Sequence, residues 1–186
     1  MFYAEDCSLT DCSIFQNGVT YYAHGGIVLY SSYGTRILNN LIYNNNGSGI
    51  DLLSSTFSHI YNNLITNNSQ RGISLSTNSE NNVIYGNAIG WNGEGNARDD
   101  GNHNSWDDEI SLGNWWSDYN ITDSEVYEID GRANSQDNYP QEYRTWKLDL
   151  PIQSGDIGME LYLIAGVIVA AIVVFILVIL KRRQIV

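Results

Sequence analysis

The stretch Asn82-Val-Ile84-Tyr-Gly-Asn87-Ala-Ile89-Gly-Trp-Asn92 sets an asparagine at every fifth residue and an isoleucine two places after each of the first two. The same spacing occurs one block earlier, at Ser58, Ile60, Asn63, Ile65 and Asn68, and again at Thr35, Ile37, Asn40, Ile42 and Asn45. A glycine-isoleucine pair opens each block: Gly26-Ile27, Gly49-Ile50 and Gly72-Ile73, 23 residues apart. A fixed period of this size marks a stacked-repeat architecture. Residues two apart share one side of a strand, so Ile27 and Leu29, Ile50 and Leu52, and Ile73 and Leu75 are expected to stack in two inward rows. Ile37, Ile60 and Ile84 supply a third row, and Ile42, Ile65 and Ile89 a fourth. Each coil then holds about three short strands, with successive coils about 4.8 Å apart. A helical reading fails because apolar residues do not recur at three-four spacing before residue 157. The expected fold is all-β, a right-handed parallel β-helix with coils of about 23 residues.

Asparagine suits the corners of such coils. It tolerates the left-handed backbone region, and its amide can bond the asparagine in the next coil. Most of the 22 asparagines are therefore read as scaffold. Cys7 and Cys12 fall on corner positions that Asn or Ser fills elsewhere, at opposite ends of one short strand. That separation puts a mutual disulfide out of reach.

The charge is uneven. All 21 Asp and Glu lie at or before Glu160, against six Lys or Arg in the same span. A surface this acidic repels phosphate backbones and argues against nucleic acid as a partner. Residues 161–180, LYLIAGVIVAAIVVFILVIL, carry no charge, and twenty helical residues cover about 30 Å, a bilayer core. Lys181, Arg182 and Arg183 follow directly and mark the cytoplasmic side. The expected organisation is a β-helix over 1–147 with a closing segment from about 104, a linker over 148–160, a transmembrane helix over 161–180 and a cytoplasmic tail over 181–186. No leader precedes the domain: MFYAEDCSLTDC lacks a basic start and an apolar run. Cys7-x-Leu9-x-x-Cys12-x-Ile14-x-x-Asn17 already fits the coil spacing, so the native start is expected upstream, with a tail-anchored cytosolic protein as the other reading.

The repeat blocks resemble those of NosD-type proteins, also called carbohydrate-binding and sugar-hydrolysis β-helices. Gly113-Asn-Trp-Trp-Ser-Asp-Tyr119, Tyr127-Glu-Ile-Asp-Gly131 and Asp137-Asn-Tyr-Pro140 look like the closing segment of that family. The resemblance covers residues 7 to about 142 and implies a binding or accessory role. Many relatives carry an Asp, Asn and Gly run suited to calcium before the Ile-Asp-Gly turn; here Asn120 to Glu128 reads NITDSEVYE.

Candidate chemistry is sparse. The outward positions of the Gly-Ile strands are Val28, Asp51 and Ser74, then Tyr30, Leu53 and Ser76, which supply one carboxylate where polysaccharide hydrolysis needs two. Arg36, His59 and Val83 form a second outward row without an acid opposite. Asp99, Asp100, Asp107 and Asp108 are the best calcium candidates, being hard oxygen donors in the densest acidic stretch. Copper is not expected, because His24, His59 and His103 are scattered and no His-x-His, Met-x-x-Met or Cys-x-x-Cys occurs. Aromatic faces are the better lead for sugar rings: Tyr61, Tyr85, Trp91 and Trp106 are the candidate contacts, while Trp115 and Trp116 are expected to cap the coil stack. Asn46, Asn67 and Asn120 head N-glycosylation sequons. The sequence thus points to a membrane-anchored, extracytoplasmic β-helix that binds a polysaccharide or glycoprotein without catalysis. The rivals are a polysaccharide lyase or hydrolase whose catalytic coils lie upstream, and an accessory protein for metal-enzyme maturation.

Overall fold

The structure, a computed structural model, describes residues 5–18, 25–122 and 124–142. The linker 148–160, the apolar span 161–180 and the basic tail 181–186 all lie outside the described residues. Among the described residues no helix is long and apolar enough to cross a membrane.

Three parallel sheets run along a β-solenoid of about four turns. The first holds β3 (Ile27–Tyr30), β6 (Ile50–Leu53), β9 (Arg71–Leu75) and β12 (Gly95–Asp99). The second holds β1 (Ser8–Thr10), β4 (Arg36–Leu38), β7 (His59–Tyr61) and β10 (Val83–Tyr85). The third holds β2 (Ser13–Phe15), β5 (Leu41–Tyr43), β8 (Leu64–Thr66), β11 (Ala88–Gly90) and β13 (Trp115–Trp116). A short antiparallel pair, β14 (Tyr127–Glu128) and β15 (Gln136–Asp137), follows the last coil.

The register matches the rows expected from sequence. Ile27 pairs with Ile50 and Ile50 with Ile73; Ile37, Ile60 and Ile84 align, as do Ile42, Ile65 and Ile89. Ile37, Ile42, Ile50, Ile60, Ile65, Ile73, Ile84 and Ile89 are completely enclosed. A one-residue slip would turn every one of these side chains to water, so the alternation fixes the register strongly.

The glycine of each Gly-Ile pair is required by close approach. A Cβ on Gly72 would lie 2.5 Å from the carbonyl oxygen of Asn96 and 2.5 Å from Ile89 Cγ2. On Gly49 it would lie 2.7 Å from the Gly72 oxygen and 2.6 Å from Ile65 Cγ2. The coil turns inward here, against the next coil and against the side chain of the third sheet.

Between strands the chain bends through single residues in the left-handed region. Asn39 and Asn62 bend from the second sheet to the third, with Gly86 in the same column. Asn44, Asn67 and Trp91 occupy the column that leaves the third sheet. Asparagine tolerates this conformation better than other side chains, which accounts for much of its abundance.

The residue after each of these bends usually carries an amide ladder. Asn40 Nδ2 donates to Asn63 Oδ1 at 3.0 Å, Asn63 to Asn87 at 2.9 Å and Asn87 to Asn114 at 2.9 Å. A second ladder runs from Asn17 through Asn45 and Asn68 to Asn92. A third joins Asn82 to Asn104. Cys12 stands at the head of the first ladder, its backbone N–H donating to Asn40 Oδ1, and both cysteines are free thiols.

A carboxamide both donates and accepts, so each ladder propagates but leaves its last N–H₂ without an acceptor. Carboxylates, which accept without donating, close two of them in this way, while Asn114 Nδ2 at the end of the first donates to Ile84 O and Trp106 O. Asn104 Nδ2 donates to Asp99 at 3.0 Å. Asn92 passes through Asn96 to Asp118, and Asn114 meets Asp137 through its backbone N–H at 2.7 Å. The apolar end of the stack is covered by Trp106, Trp116, Ile129 and Tyr127, with Tyr127 stacked on Trp116 at 4.1 Å.

Candidate binding surface

Strand pairing decides which aromatic groups meet solvent. Trp115 pairs with Ala88 and Trp116 with Ile89, so Trp116 continues the inward row of Ile42, Ile65 and Ile89 while Trp115 points outward. Ser105 pairs with Val83, which sets Trp106 after Ile84 in its inward row. Trp106 is fully enclosed, and its indole N–H donates to Asp99 Oδ2 at 3.0 Å. The expectation of a ligand contact at Trp106 is thereby corrected: it is part of the cap. Of the two tryptophans expected to cap the stack, Trp116 does so and Trp115 does not. The signal was present in the sequence, since Asn104-x-Trp106 and Asn114-x-Trp116 repeat the Asn-x-Ile unit with tryptophan in place of isoleucine.

Trp91 is the most open of the aromatic candidates, 62% exposed, against Trp115 at a centroid distance of 5.5 Å and a tilt of 52°. It occupies the left-handed column that Asn44 and Asn67 fill in the preceding coils, with φ of 54°. A bulky side chain is disfavoured there, and such strain gathers at functional positions. Its backbone N–H is held by Ser117 Oγ at 3.0 Å. Gly90 leaves room beneath Trp115, whose Cζ3 lies 3.4 Å from where a Cβ would be. The tilt leaves a face of Trp91 free.

Tyr61 and Tyr85 are arranged differently. Their rings lie 5.3 Å apart and within 6° of parallel, so each covers one face of the other. Partial burial, then the neighbouring Tyr61 and Asp108, raises the Tyr85 phenol above its ordinary value, so it acts as a neutral donor and acceptor. Phe15 and Tyr43 form a second stacked pair at 5.1 Å on the third sheet.

The four calcium candidates are not brought together. Asp99 accepts from Gly101 N, Asn104, Trp106 and Ser135. Asp107 accepts from Glu109 N and from Asn138, while Asp108 accepts the backbone N–H groups of Ile110, Ser111 and Leu112. Those three amides, Ser111 foremost, hold Asp108 below the usual carboxylate range. Arg98 pairs with Asp100. Among the described residues no group of three or more His, Cys, Asp and Glu is placed to hold a metal ion. Each of the four carboxylates already has its own donors within the fold.

The outward rows read from sequence are present. Val28, Asp51 and Ser74 align, and Arg98 extends the row, while Arg36, His59 and Val83 align on the second sheet; Asp51, expected on the open face, is buried. The first row therefore carries a single carboxylate. Asn46, Asn67 and Asn120 are all exposed.

The fold and its cap define a parallel β-solenoid with no assembled metal centre among the described residues. A family profile described as "Periplasmic copper-binding protein (NosD)" matches residues 3–121, and the chain belongs to that family. No curated protein and no solved structure matches the chain. The family's description raises copper, and the described residues do not fit it. His59 and His103 lie in separate turns, and copper needs several soft or imidazole donors converging on one point.

Proposed function

We propose that this chain is a membrane-tethered, extracytoplasmic β-solenoid that binds carbohydrate without catalysis, with Trp91 as its principal contact. The observation that carries this reading is Trp91 itself: an exposed indole, backed by Trp115, at a column where an asparagine would fit with less strain. A free indole face packs against the apolar face of a pyranose ring, and the Tyr61 and Tyr85 hydroxyls offer polar contacts elsewhere on the same solenoid. The family's periplasmic description supports the extracytoplasmic placement. The exposed sequons at Asn46, Asn67 and Asn120 are compatible with it. The apolar run 161–180 followed by Lys181, Arg182 and Arg183 supports a single membrane span with a cytoplasmic C-terminus.

The full chain, solubilised in detergent and applied to a glycan array, is expected to retain at least one glycan class, and Trp91→Asn is expected to abolish that retention. Retention by the variant at the wild-type level removes Trp91 from the proposal. Release of the untreated protein from membranes by alkaline carbonate would remove the tether.

The family match favours a second reading, an accessory to a metalloenzyme that acts by docking rather than by holding copper. Stoichiometric copper binding by the full chain would refute the docking form of that reading.

A further inference from the structure

The turn that follows β12 faces the segment after the Ile129-Asp130-Gly131 turn across a cleft of about 420 Å³. Small-molecule sites run from about 300 to 1,000 Å³, so the cleft is large enough for a sugar unit. Asp100, Asn102, His103, Arg132 and Ser135 are among its lining residues.

The acids around it are already engaged. Asp100 accepts from Arg98 Nε at 2.7 Å and Nη2 at 3.2 Å, and from the Arg132 backbone N–H at 3.0 Å. The Arg98 hydrogen bond is the main reason that Asp100 sits below the usual carboxylate range. Asp99 turns under the floor to Asn104, Trp106 and Ser135. Glu80 accepts from Asn102 Nδ2 at 3.2 Å, and Asp130 accepts from Arg71. Among the described residues the Arg132 guanidinium makes no side-chain hydrogen bond or salt bridge, although its charge acts on Asp100, and the His103 imidazole makes no hydrogen bond. Two nitrogen-rich groups thus line a polar cleft with their donors uncommitted.

We propose that this cleft binds a carboxylate-bearing sugar, a hexuronate unit, with Arg132 gripping the carboxylate and His103 and Asn102 bounding the ring. A guanidinium presents two parallel N–H donors that match a carboxylate's two oxygens, which an ammonium cannot do. The lining supplies amide, hydroxyl and imidazole groups suited to sugar hydroxyls. The site does not include Trp91, so it stands or falls separately from the aromatic surface.

The test is calorimetric titration of the full chain in detergent with digalacturonate, with its methyl ester, and with acetate. Digalacturonate is expected to bind, and the ester and acetate each to bind at least tenfold more weakly. Arg132→Gln keeps the backbone N–H that holds Asp100 and is expected to weaken digalacturonate at least tenfold. Arg132→Lys, which keeps the charge and loses the fork, is expected to weaken it at least threefold. Equal binding of the ester, or wild-type affinity in Arg132→Gln with its circular dichroism preserved, overturns the proposal. Acetate binding as well as digalacturonate overturns the sugar assignment.

Discussion

Trp91 shows how a single residue can oppose its own scaffold. In two preceding coils the same column holds Asn44 and Asn67, both in the left-handed region. For a side chain other than glycine or asparagine that conformation costs about 1–2 kcal/mol. Replacing Trp91 by asparagine therefore relieves backbone strain and loses the contact with Trp115. Trp91→Asn is expected to match or exceed the wild type in stability by up to about 1 kcal/mol in urea unfolding while losing glycan retention. A fall in stability of more than about 1 kcal/mol would show instead that the indole is structural. The tryptophans also mark how far residue-level reading reaches. Trp116 and Trp106 obey the Asn-x-Ile rule with a larger side chain, yet Trp106 falls in a stretch whose downstream spacing is broken by the Asp107–Leu112 insertion. Composition alone does not distinguish an exposed tryptophan from a capping one.

At the scale of elements, the amide ladders bind coil to coil, and one of them is incomplete. In the column of Asn82 and Asn104 the earlier coils carry Ser58 and Thr35, and the Ser58 Oγ and Thr35 Oγ1 atoms are buried without a partner. A buried polar group without a partner costs about 1–3 kcal/mol, whereas a completed bond adds about 1 kcal/mol. Ser58→Asn would bring its Nδ2 to Asn82 Oδ1, the acceptor that the Ser58 backbone N–H already uses at 2.9 Å. The expected outcome is a gain of about 1 kcal/mol, read as a raised urea midpoint with an unchanged slope. A lowered midpoint would mean that the corner lacks room for the longer side chain. The converse applies at Asn63, where Nδ2 serves Ile37 O, Tyr61 O and Asn87. Asn63→Ala is expected to destabilise by several kcal/mol because two of those three bonds, to Ile37 O and Asn87, are buried.

For the whole molecule, the C-terminal end of the stack holds the buried carboxyl group of Asp137, which makes that closure sensitive to pH. Asp137 accepts from the Asn114 and Tyr139 backbone N–H groups and from the Trp116 indole. Burial is nonetheless the largest influence and pushes its carboxyl up to about 6 from an ordinary value of 3.8. The folded state thus holds this proton more tightly than the unfolded chain does. The stabilising contribution of the protonated group is complete below about pH 4 and is lost as pH rises through about 6. A shift of this size corresponds to about 3 kcal/mol. The stability difference between wild type and Asp137→Asn should therefore move against the wild type by about that amount between pH 3.5 and pH 7. Parallel pH profiles for the two proteins would show that Asp137 does not titrate in this window.

The sequence by itself determined the coil. A period of 23 residues, the Gly-Ile pairs and the Asn-x-Ile spacing are local patterns, and alternation along a short strand leaves no freedom about which side chains face inward. The roles of Tyr127, Ile129 and Asp137 could be recognised only as a family likeness, since their partners are 11 to 23 residues away in Trp116 and Asn114. Only the tertiary structure decided which aromatic faces remain free, because that depends on the neighbouring coil and not on the residue. The same holds for the acids: Asp99, Asp100, Asp107 and Asp108 are close in sequence, but each bends to a different set of donors. Proximity along the chain fixes spacing, whereas a binding site needs direction, and direction is set by the coils above and below.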